Sequence, residues 1–542
     1  MKNITLAIIV IPLFFSCSII EQNEEIIKTD VCILSGSEAG FTAAIQAGRS
    51  GNKVILIEPT GHPGGMMVEG IVKDIRFGSG RVIGGIAREI YESIETHYGL
   101  KADFENPDWY SRYEPSVAEK IIEDFLKRED NIRIIRNTRI KEKDGVVMEG
   151  SVIKRIVLDN GSVISAGMYI DASIEGHLLH FAGITTETIR EGNEKYGESK
   201  NGIQVENHYR QFEVEIDPYL MPGEPESGLI PTIQDGVLGE FGSPDKHIQG
   251  YCYRMCLTKD PENRIYIEKP DNYDPTTYEI YRRYLKAGGK LFYPRVNRYN
   301  GKTDIGSWHD LSANLYGENW KYPDGNYATQ DSIIKYHKDF TLGLIWFLQN
   351  DPEVDTLTRR GWVDWGLCRD EFQDNGHWPR RLYIRSARRM VSDYVITEHH
   401  TSRENPDKVH DPVAIAWWPP DTHHARRIVK DGFAYNEGFV FGGDDWKPFG
   451  ISWRSLIPKT DECTNLLTPT CISSTYVAYG AIRILPTFMI LGQSAGMAAS
   501  IAIEKEIPIQ HVEYSDLRTG LIKSGQILDI PDNWMEIITT YN

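Results

Sequence analysis

Residues 30–58 read DVCILSGSEAGFTAAIQAGRSGNKVILIE, and this stretch decides the fold. The apolar run 30–34 predicts a strand that is buried on both faces, and 53–58 predicts a second strand that ends in an acid. Between them lie a tight turn and three alanines at helical spacing, Ala43, Ala44 and Ala47, which predict a helix. The order strand, turn, helix, strand, acid is that of a Rossmann unit.

The turn after the first strand holds the glycines on which nucleotide binding by such a unit depends. When the chain is aligned with the pattern G-x-G-x-x-G, the three glycine positions are occupied by Ser35, Ser37 and Gly40. Gly36 lies between the two serines. We expect the turn to approach a pyrophosphate, and Glu58, 22 residues beyond Gly36, to accept a hydrogen bond from a ribose hydroxyl. Ser37 places a side chain where a pyrophosphate would press on bare backbone, which predicts weaker binding.

The next motif favours a flavin over a nicotinamide. Residues 59–66 read PTGHPGGM, so Gly64, Gly65 and Met66 follow the acid directly. A diglycine turn at this place lets the chain pass close to the flavin part of FAD, and a nicotinamide-only domain has no need of it. His62 is the first candidate for a proton donor or acceptor beside the flavin, with a turn-stabilising role as the alternative.

On these residues the chain resembles the FAD-dependent oxidoreductase family, which is related to the flavin domain of heterodisulfide reductase and includes relatives labelled xanthan lyase. In that family a comparable stretch carries His two residues ahead of Gly-Gly-Met, as His62 stands here. The resemblance continues through 112–119, 170–176, 378–397 and 463–499. It implies FAD as the cofactor and an oxidoreductase activity.

We predict an α/β fold, an FAD/NAD(P)-binding Rossmann-like split nucleotide domain with an inserted α+β substrate domain. Helices are expected over 85–98 and 119–127, and a hairpin over 152–170 with its turn at Asn160-Gly161. The predicted segments are a signal peptide (1–16), a tether (17–29), the first part of the FAD-binding domain (30–185), the substrate domain (186–450), the return of the FAD-binding domain (451–510) and a C-terminal segment (511–542).

The return contains a helix over 491–502 that is rich in Gly and Ala. If its N-terminus points at the flavin, the helix dipole would stabilise negative charge on the reduced ring. We therefore assign cofactor binding to a turn at Gly492, Gln493, Ser494, Ala495 and Gly496. The alternative is a small-residue helix that packs against a neighbour.

Two clusters in the middle of the chain invite a site interpretation. Arg385, Arg388 and Arg389 stand at i, i+3 and i+4, so a helix would place them on one face, where Arg385 and Arg389 could clamp a carboxylate or the FAD pyrophosphate. Pairing with the abundant acids is the alternative. The doublets 399–400 and 423–424 are His-His, but adjacent side chains point apart, so no metal site is predicted.

The N-terminal residues have the pattern of a targeting signal. One cation, an apolar run over 6–15 and then Ser16-Cys17 are typical of a secretory signal with a lipobox, in which Cys17 would carry a lipid and anchor the chain to a membrane. This predicts a cell-envelope protein, either periplasmic or an outer-membrane lipoprotein.

Composition limits the partners. With 59 Lys and Arg against 77 Asp and Glu, the formal net charge of −18 argues against nucleic acid, and 41% apolar residues argue against a disordered chain. A small-molecule substrate is expected, and tryptophan-rich segments suggest a carbohydrate. The main alternative is a glycan-binding surface lipoprotein without redox activity; a polysaccharide lyase or a nicotinamide-only dehydrogenase is a weaker one. The oligomeric state is left open.

Overall fold

A computed structural model of the chain describes residues 26–71, 75–206, 209–307, 310–442 and 445–539. The helices in these ranges are α1 (Glu38–Arg49), α2 (Met66–Glu69), α3 (Gly85–His97), α4 (Pro115–Lys127), α5 (His177–Phe181), α6 (Glu279–Lys286), α7 (Tyr327–Asn350), α8 (Thr356–Trp362), α9 (Tyr476–Ile482), α10 (Leu485–Lys505), α11 (Tyr514–Lys523) and α12 (Trp534–Thr539). The strands are β1 (Ile26–Leu34), β2 (Val54–Glu58), β3 (Ile132–Arg136), β4 (Val146–Glu149), β5 (Val152–Val157), β6 (Val163–Asp171), β7 (Thr186–Glu187), β8 (Leu257–Thr258), β9 (Arg264–Ile265), β10 (Gly366–Cys368), β11 (Arg389–Met390), β12 (Pro412–Ala416), β13 (Asp421–Thr422), β14 (Arg426–Lys430), β15 (Phe433–Glu437), β16 (Val440–Phe441), β17 (Phe449–Ser452) and β18 (Leu466–Leu467).

The main sheet has the strand order β3-β2-β1-β6-β5-β4. β1, β2, β3 and β6 are parallel, whereas β4, β5 and β6 form an antiparallel meander. Late in the chain, β18 returns and pairs in parallel with Tyr169 and Ile170 of β6. The predicted Rossmann-like α/β fold, its first two strands and the 152–170 hairpin are therefore confirmed, and so is the return of the chain to the same sheet.

One face of this sheet is covered by α1, α3, α4 and α10, which share its hydrophobic core. α1 and α10 cross closely because small residues face each other: a Cβ on Gly492 would lie 2.1 Å from the backbone oxygen of Ala39, and one on Gly496 2.5 Å from that of Ala43. By length and composition alone α10 could cross a membrane, but 83% of its most apolar window is buried inside the described structure. α10 is thus placed as a core helix.

The inserted region has its own core, which is rich in aromatic side chains from α6 and α7. Short sheets surround it, among them β8-β10-β9 and the hairpin of β14 and β15. The antiparallel pair of β12 and β17 differs, because it packs on α10 and shares the core of the nucleotide domain. The predicted substrate domain thus includes a segment, 412–416, that packs with the other domain.

Two predictions about local structure are wrong. The tether does not extend to residue 29, because β1 begins at Ile26 and its first residues already pair with β6. Arg385, Arg388 and Arg389 do not share a helix face, because the chain is extended here and Arg389 pairs with Glu187 in a short antiparallel ladder. The signal peptide and Cys17 lie outside the described residues.

Candidate functional site

Two glycines of the turn between β1 and α1 have no room for a side chain. A Cβ on Gly36 would lie 2.7 Å from Oε2 of Glu58, and the Gly36 N–H donates to that oxygen at 2.7 Å. A Cβ on Gly40 would lie 1.8 Å from the backbone oxygen of Ser35. These positions keep the turn tight and α1 close to the sheet, as the fingerprint requires.

The two serines of the turn behave differently. Ser37 is the N-cap of α1: its hydroxyl accepts from the Gly40 N–H at 3.2 Å and donates to the carbonyl of Ala172 at 2.6 Å. Ser35 has a left-handed backbone with φ +71°, and its buried hydroxyl has no hydrogen-bond partner in the described part of the chain. The Ser37 side chain is therefore held by the protein, and the Ser35 hydroxyl is left for a ligand.

We expect opposite stability effects at these two serines. Ser35→Gly should raise the free energy of unfolding by about 0.5–1 kcal/mol, because glycine adopts a positive φ without the steric cost that serine bears. Ser37→Gly should lower it by about 1 kcal/mol, because the hydrogen bond to Ala172 is lost and the cap is weakened. Urea unfolding of the ligand-free protein measures both, and equal signs would contradict the assignment.

The diglycine turn closes against the same loop. Gly64 and Gly65 have φ +134° and +58°, and a Cβ on Gly65 would lie 2.3 Å from Oε2 of Glu38. That carboxylate accepts from the N–H of Met67 at 3.2 Å, at the start of α2. Burial raises the pKa of Glu38, and backbone hydrogen bonds and Arg381 oppose this, so that the pKa is raised to about 7.

A first cavity of about 390 Å³ opens at the carboxyl ends of β1, β2, β3 and β6. Its walls include Ser35, Thr60, Asn137, Ile140, Ser173 and Glu175. This edge is where open parallel sheets bind nucleotides. Glu58, at the end of β2 and next to the lining residues Pro59 and Thr60, is fully buried and accepts from the N–H and the hydroxyl of Thr60, both at 2.8 Å.

Arg381 lies where the first cavity meets a smaller one, which we call the junction cavity. The junction cavity is lined by Ser37, Glu38, Met66, Arg381, Thr470 and Leu485, among others. Arg381 pairs with Glu69 at 2.5 Å and lies 3.8 Å from Glu58. Burial raises the pKa of Glu58 and the charge of Glu69 raises it further, whereas Arg381 lowers it. Arg381 was not among the residues predicted from the sequence.

The beginning of α10, and not its middle, borders the junction cavity. Leu485 and Phe488, at the start of the helix, line the cavity, and Pro486 lies in the first turn. The predicted turn at Gly492, Gln493, Ser494, Ala495 and Gly496 is wrong, because all five residues lie inside the helix. Gln493 accepts from the Ile86 N–H at 2.9 Å, and Ser494 donates to the Val413 carbonyl at 2.8 Å. These side chains serve helix packing, and the segment is not part of the lining described for the cavities.

His62 lies near the protein surface, between charged side chains. Its Nδ1 is 2.5 Å from Glu119 and its Nε2 is 2.8 Å from Asp374. The hydrogen bond to Glu119 raises the pKa of His62 most, and burial opposes it. Both ring nitrogens are thus engaged with carboxylates, and His62 is not among the residues that line the described cavities. Its catalytic role stays a prediction.

The two arginines predicted as catalytic have different positions. Arg385 lines the junction cavity and donates to the side-chain oxygen of Asn314 at 2.9 Å. Arg389 is fully buried away from it and pairs with Glu191 at 2.6 Å. Arg389 therefore pairs with an acid, as the alternative interpretation of the cluster predicts. Of the two arginines, Arg385 is the one that lies at a cavity wall, where a ligand could bind.

A second cavity of about 460 Å³ lies beyond the junction cavity and shares Tyr383 and Arg483 with it. Five arginines are among its described lining residues: Arg76, Arg210, Arg254, Arg295 and Arg483. His423, Trp418 and two aspartates, Asp304 and Asp421, line it as well. No spacing in the sequence connects these residues, because they come from distant segments. The buried Trp365, Trp378 and Trp417 belong to the protein interior and present no surface for stacking on a sugar.

One cluster of carboxylates has the composition of a metal site but surrounds a lysine. Glu114, Asp370 and Glu371 bring a carboxylate oxygen each to one place. The ammonium of Lys302 occupies it, at 2.5, 2.8 and 2.7 Å from the three residues. This cluster joins the start of α4 to the inserted region.

The sequence model of a family described as FAD dependent oxidoreductase matches residues 30–521. No curated protein matches the chain. Among solved structures, similarity extends to PqsL, a probable FAD-dependent monooxygenase from Pseudomonas aeruginosa (16% identity, 30% of this chain and 47% of that one, TM-score 0.22). It extends also to an L-proline dehydrogenase from P. horikoshii (16% identity, 30% and 59%, TM-score 0.24). The chain spans about half the length of the first structures it matches, and TM-scores this low carry no weight for fold or activity.

Proposed function

Because the chain belongs to the FAD dependent oxidoreductase family, whose model covers residues 30–521, we propose that it is a flavoenzyme that oxidises a small organic or carbohydrate-derived substrate. FAD, when bound, accepts a hydride from a substrate carbon. The residues of this chain bind and orient the two partners and exclude water between them.

The residues present fit FAD. Gly36, Gly40 and Gly65 leave no room for a Cβ, which keeps the turns beside the cavities tight, and the hydroxyl of Ser35, in the wall of the first cavity, is buried without a partner in the described part of the chain. Glu58 lies at the end of β2, where the fingerprint places the ribose-binding acid. Arg381, which pairs with Glu69, lies in the walls of the first cavity and the junction cavity, and the first turn of α10 borders the junction cavity.

The observation that carries the proposal is that the three cavities share wall residues. Arg381 lines the first cavity and the junction cavity, and Tyr383 and Arg483 line the junction cavity and the second cavity. A cofactor that fills the first two would therefore end beside the third. The second cavity has a volume typical of small-molecule sites, which supports it as the substrate site.

The visible spectrum of the protein after reconstitution with FAD tests this proposal. We expect flavin absorption that remains after gel filtration and bleaches when a substrate is added without oxygen. Protein that is folded by circular dichroism but stays colourless would overturn it. The Ser37→Gly variant is a useful companion, because it should still bind FAD if the Ser37 hydroxyl faces Ala172 and not the cofactor.

We further propose that the enzyme is exported and anchored to the cell envelope through a lipid on Cys17. The charged start, the apolar run and the Ser-Cys pair at 16–17 support this. Labelling of the wild-type protein with a fatty-acid analogue, and loss of the label in Cys17→Ser, is the expected result. Unlabelled wild-type protein would contradict the anchor.

A further inference from the structure

Arginines outnumber acids in the wall of the second cavity, although the whole chain has a formal charge of −18. Five arginines face two aspartates among its described lining residues. One of these, Asp304, is shared by two guanidinium groups, those of Arg254 at 2.7 Å and Arg298 at 2.9 Å. A local excess of positive charge in a concave site attracts anions and raises their local concentration.

Two buried donors in the cavity wall have no hydrogen-bond partner in the described part of the chain. They are Nε of Arg483 and Nε1 of Trp418, whose residues are 4% and 8% exposed. Each of the two terminal nitrogens of Arg483 donates one hydrogen bond, to the hydroxyl of Tyr383 and to the backbone carbonyl of Asp421, both at 2.8 Å. The guanidinium is thus fixed in place while its Nε–H has no acceptor in the described part of the chain. Buried donors normally have an acceptor, so a ligand with acceptor oxygens fits this wall.

His423 adds a third donor. The side-chain oxygen of Asn314 accepts from Arg385 at 2.9 Å, so the Asn314 amide nitrogen faces Nδ1 of His423 at 3.2 Å and donates to it. Burial lowers the pKa of His423, and the neighbouring arginines lower it further. The neutral ring therefore carries its proton on Nε2.

One acceptor in the same wall is also left over. Oδ1 of Asp421 is buried without a hydrogen-bond partner among the described residues, and it lies 3.9 Å from Nε2 of His423, which is too far for a hydrogen bond. A carboxylate oxygen in this position matches a hydroxyl on the ligand. Phe292, Ile305 and Ile484 line the remaining wall and offer contact for a carbon skeleton.

We propose that the second cavity binds a small hydroxy acid, whose carboxylate meets Arg483 and Trp418 and whose hydroxyl meets Asp421. The inference deepens the proposed function and rests on it, because it names the class of substrate that would be oxidised beside the flavin. Recognition itself needs no flavin, so binding and redox activity can fail separately.

Calorimetric binding to the full chain, with and without FAD, tests the inference. The probes are malate, glucuronate and glucose, with glucose 6-phosphate to separate carboxylate from phosphate recognition. We expect malate or glucuronate to bind with a dissociation constant on the order of 1 mM or lower, and glucose at least about tenfold more weakly. Equal or tighter binding of glucose or of glucose 6-phosphate, or no binding of either acid, would overturn the inference.

Three variants locate the binding. Arg483→Gln and Asp421→Asn should each weaken binding of the acid about tenfold or more. Arg295→Gln, at the exposed rim of the cavity, should weaken binding of the acid less and should reduce the salt dependence of that binding. Because Arg295 is exposed, this variant still tests the site if a variant with a buried substitution does not fold. Arg518→Gln is the control, because this arginine of α11 lies outside the cavity and pairs with Asp529 at 3.0 Å. Unchanged affinity in both Arg483→Gln and Arg295→Gln would refute the site.

Discussion

Gly40→Ala should abolish stable FAD binding in a chain that still folds. A Cβ at this position would lie 1.8 Å from the backbone oxygen of Ser35, so the turn or α1 must shift. In the proposed site the diphosphate approaches the turn between β1 and α1 most closely, because the N–H groups of this turn have to reach the phosphate oxygens. We expect a dissociation constant for FAD at least about a hundredfold higher, which corresponds to about 3 kcal/mol.

Fluorescence titration with FAD measures the effect, and circular dichroism of the ligand-free variant shows whether the fold persists. Gly361→Ala is the matched control. Its Cβ would have a nearest neighbour at 4.0 Å, and it lies within α8, so alanine should be neutral or stabilising by up to about 1 kcal/mol. A Gly40→Ala protein that keeps wild-type affinity would show that the cofactor does not contact this turn.

The parts of the fold that the sequence predicted are those with local signals. β1, α1 and β2 follow from an apolar run, spaced alanines and a terminal acid, and the hairpin of β5 and β6 follows from Asn160-Gly161. Each of these depends on residues within about one turn or one strand of each other, so a single sequence contains the information. The return of β18 to β6 was predictable only through the order of elements typical of split flavoprotein domains.

The misplaced cofactor segment shows the limit of such signals. Gly492 and Gly496 indicate close approach of a backbone, but the sequence does not say whether the approaching partner is a ligand or another helix. The structure shows that it is α1. Pro486 was the available signal for the start of α10, since proline is favoured in the first helical turn. In the structure this first turn borders the junction cavity.

The second cavity could not be predicted, for a different reason. Arg254, Tyr383, Asp421 and Arg483 have no common spacing and meet only because the inserted region folds back onto the nucleotide domain. The spacing i, i+3, i+4 at 385–389 would put the arginines on one face if the segment were a helix, but the segment is extended and distant carbonyls and carboxylates accept hydrogen bonds from the buried guanidinium groups. Side-chain spacing alone does not distinguish an exposed helix face from an extended segment whose arginines are each paired elsewhere.

Arg381→Met should be the most destabilising of the substitutions considered, and its cost should depend on pH. The variant leaves the buried carboxylates of Glu58 and Glu69 without their cation, so we expect a loss of about 3–5 kcal/mol near pH 8. The pKa of Glu58, already raised by burial, must rise further in the folded variant. A raised carboxyl pKa means that the folded state holds its proton more tightly than the unfolded state, so stability is kept at low pH and falls as pH rises through the folded-state pKa.

The deficit of Arg381→Met relative to wild type should therefore be clearly smaller at pH 5 than at pH 8 in urea unfolding. Arg380→Met is the control next to it in the chain. Arg380 pairs at the protein rim with the half-exposed Asp374, so its loss should cost about 1 kcal/mol or less. A deficit independent of pH, or an equal cost in the two variants, would mean that Arg381 acts through packing and not through charge. The pH-dependent result would instead identify Arg381 as the residue that holds the acid of the fingerprint in its charged form, which is the form that accepts hydrogen bonds from a ribose.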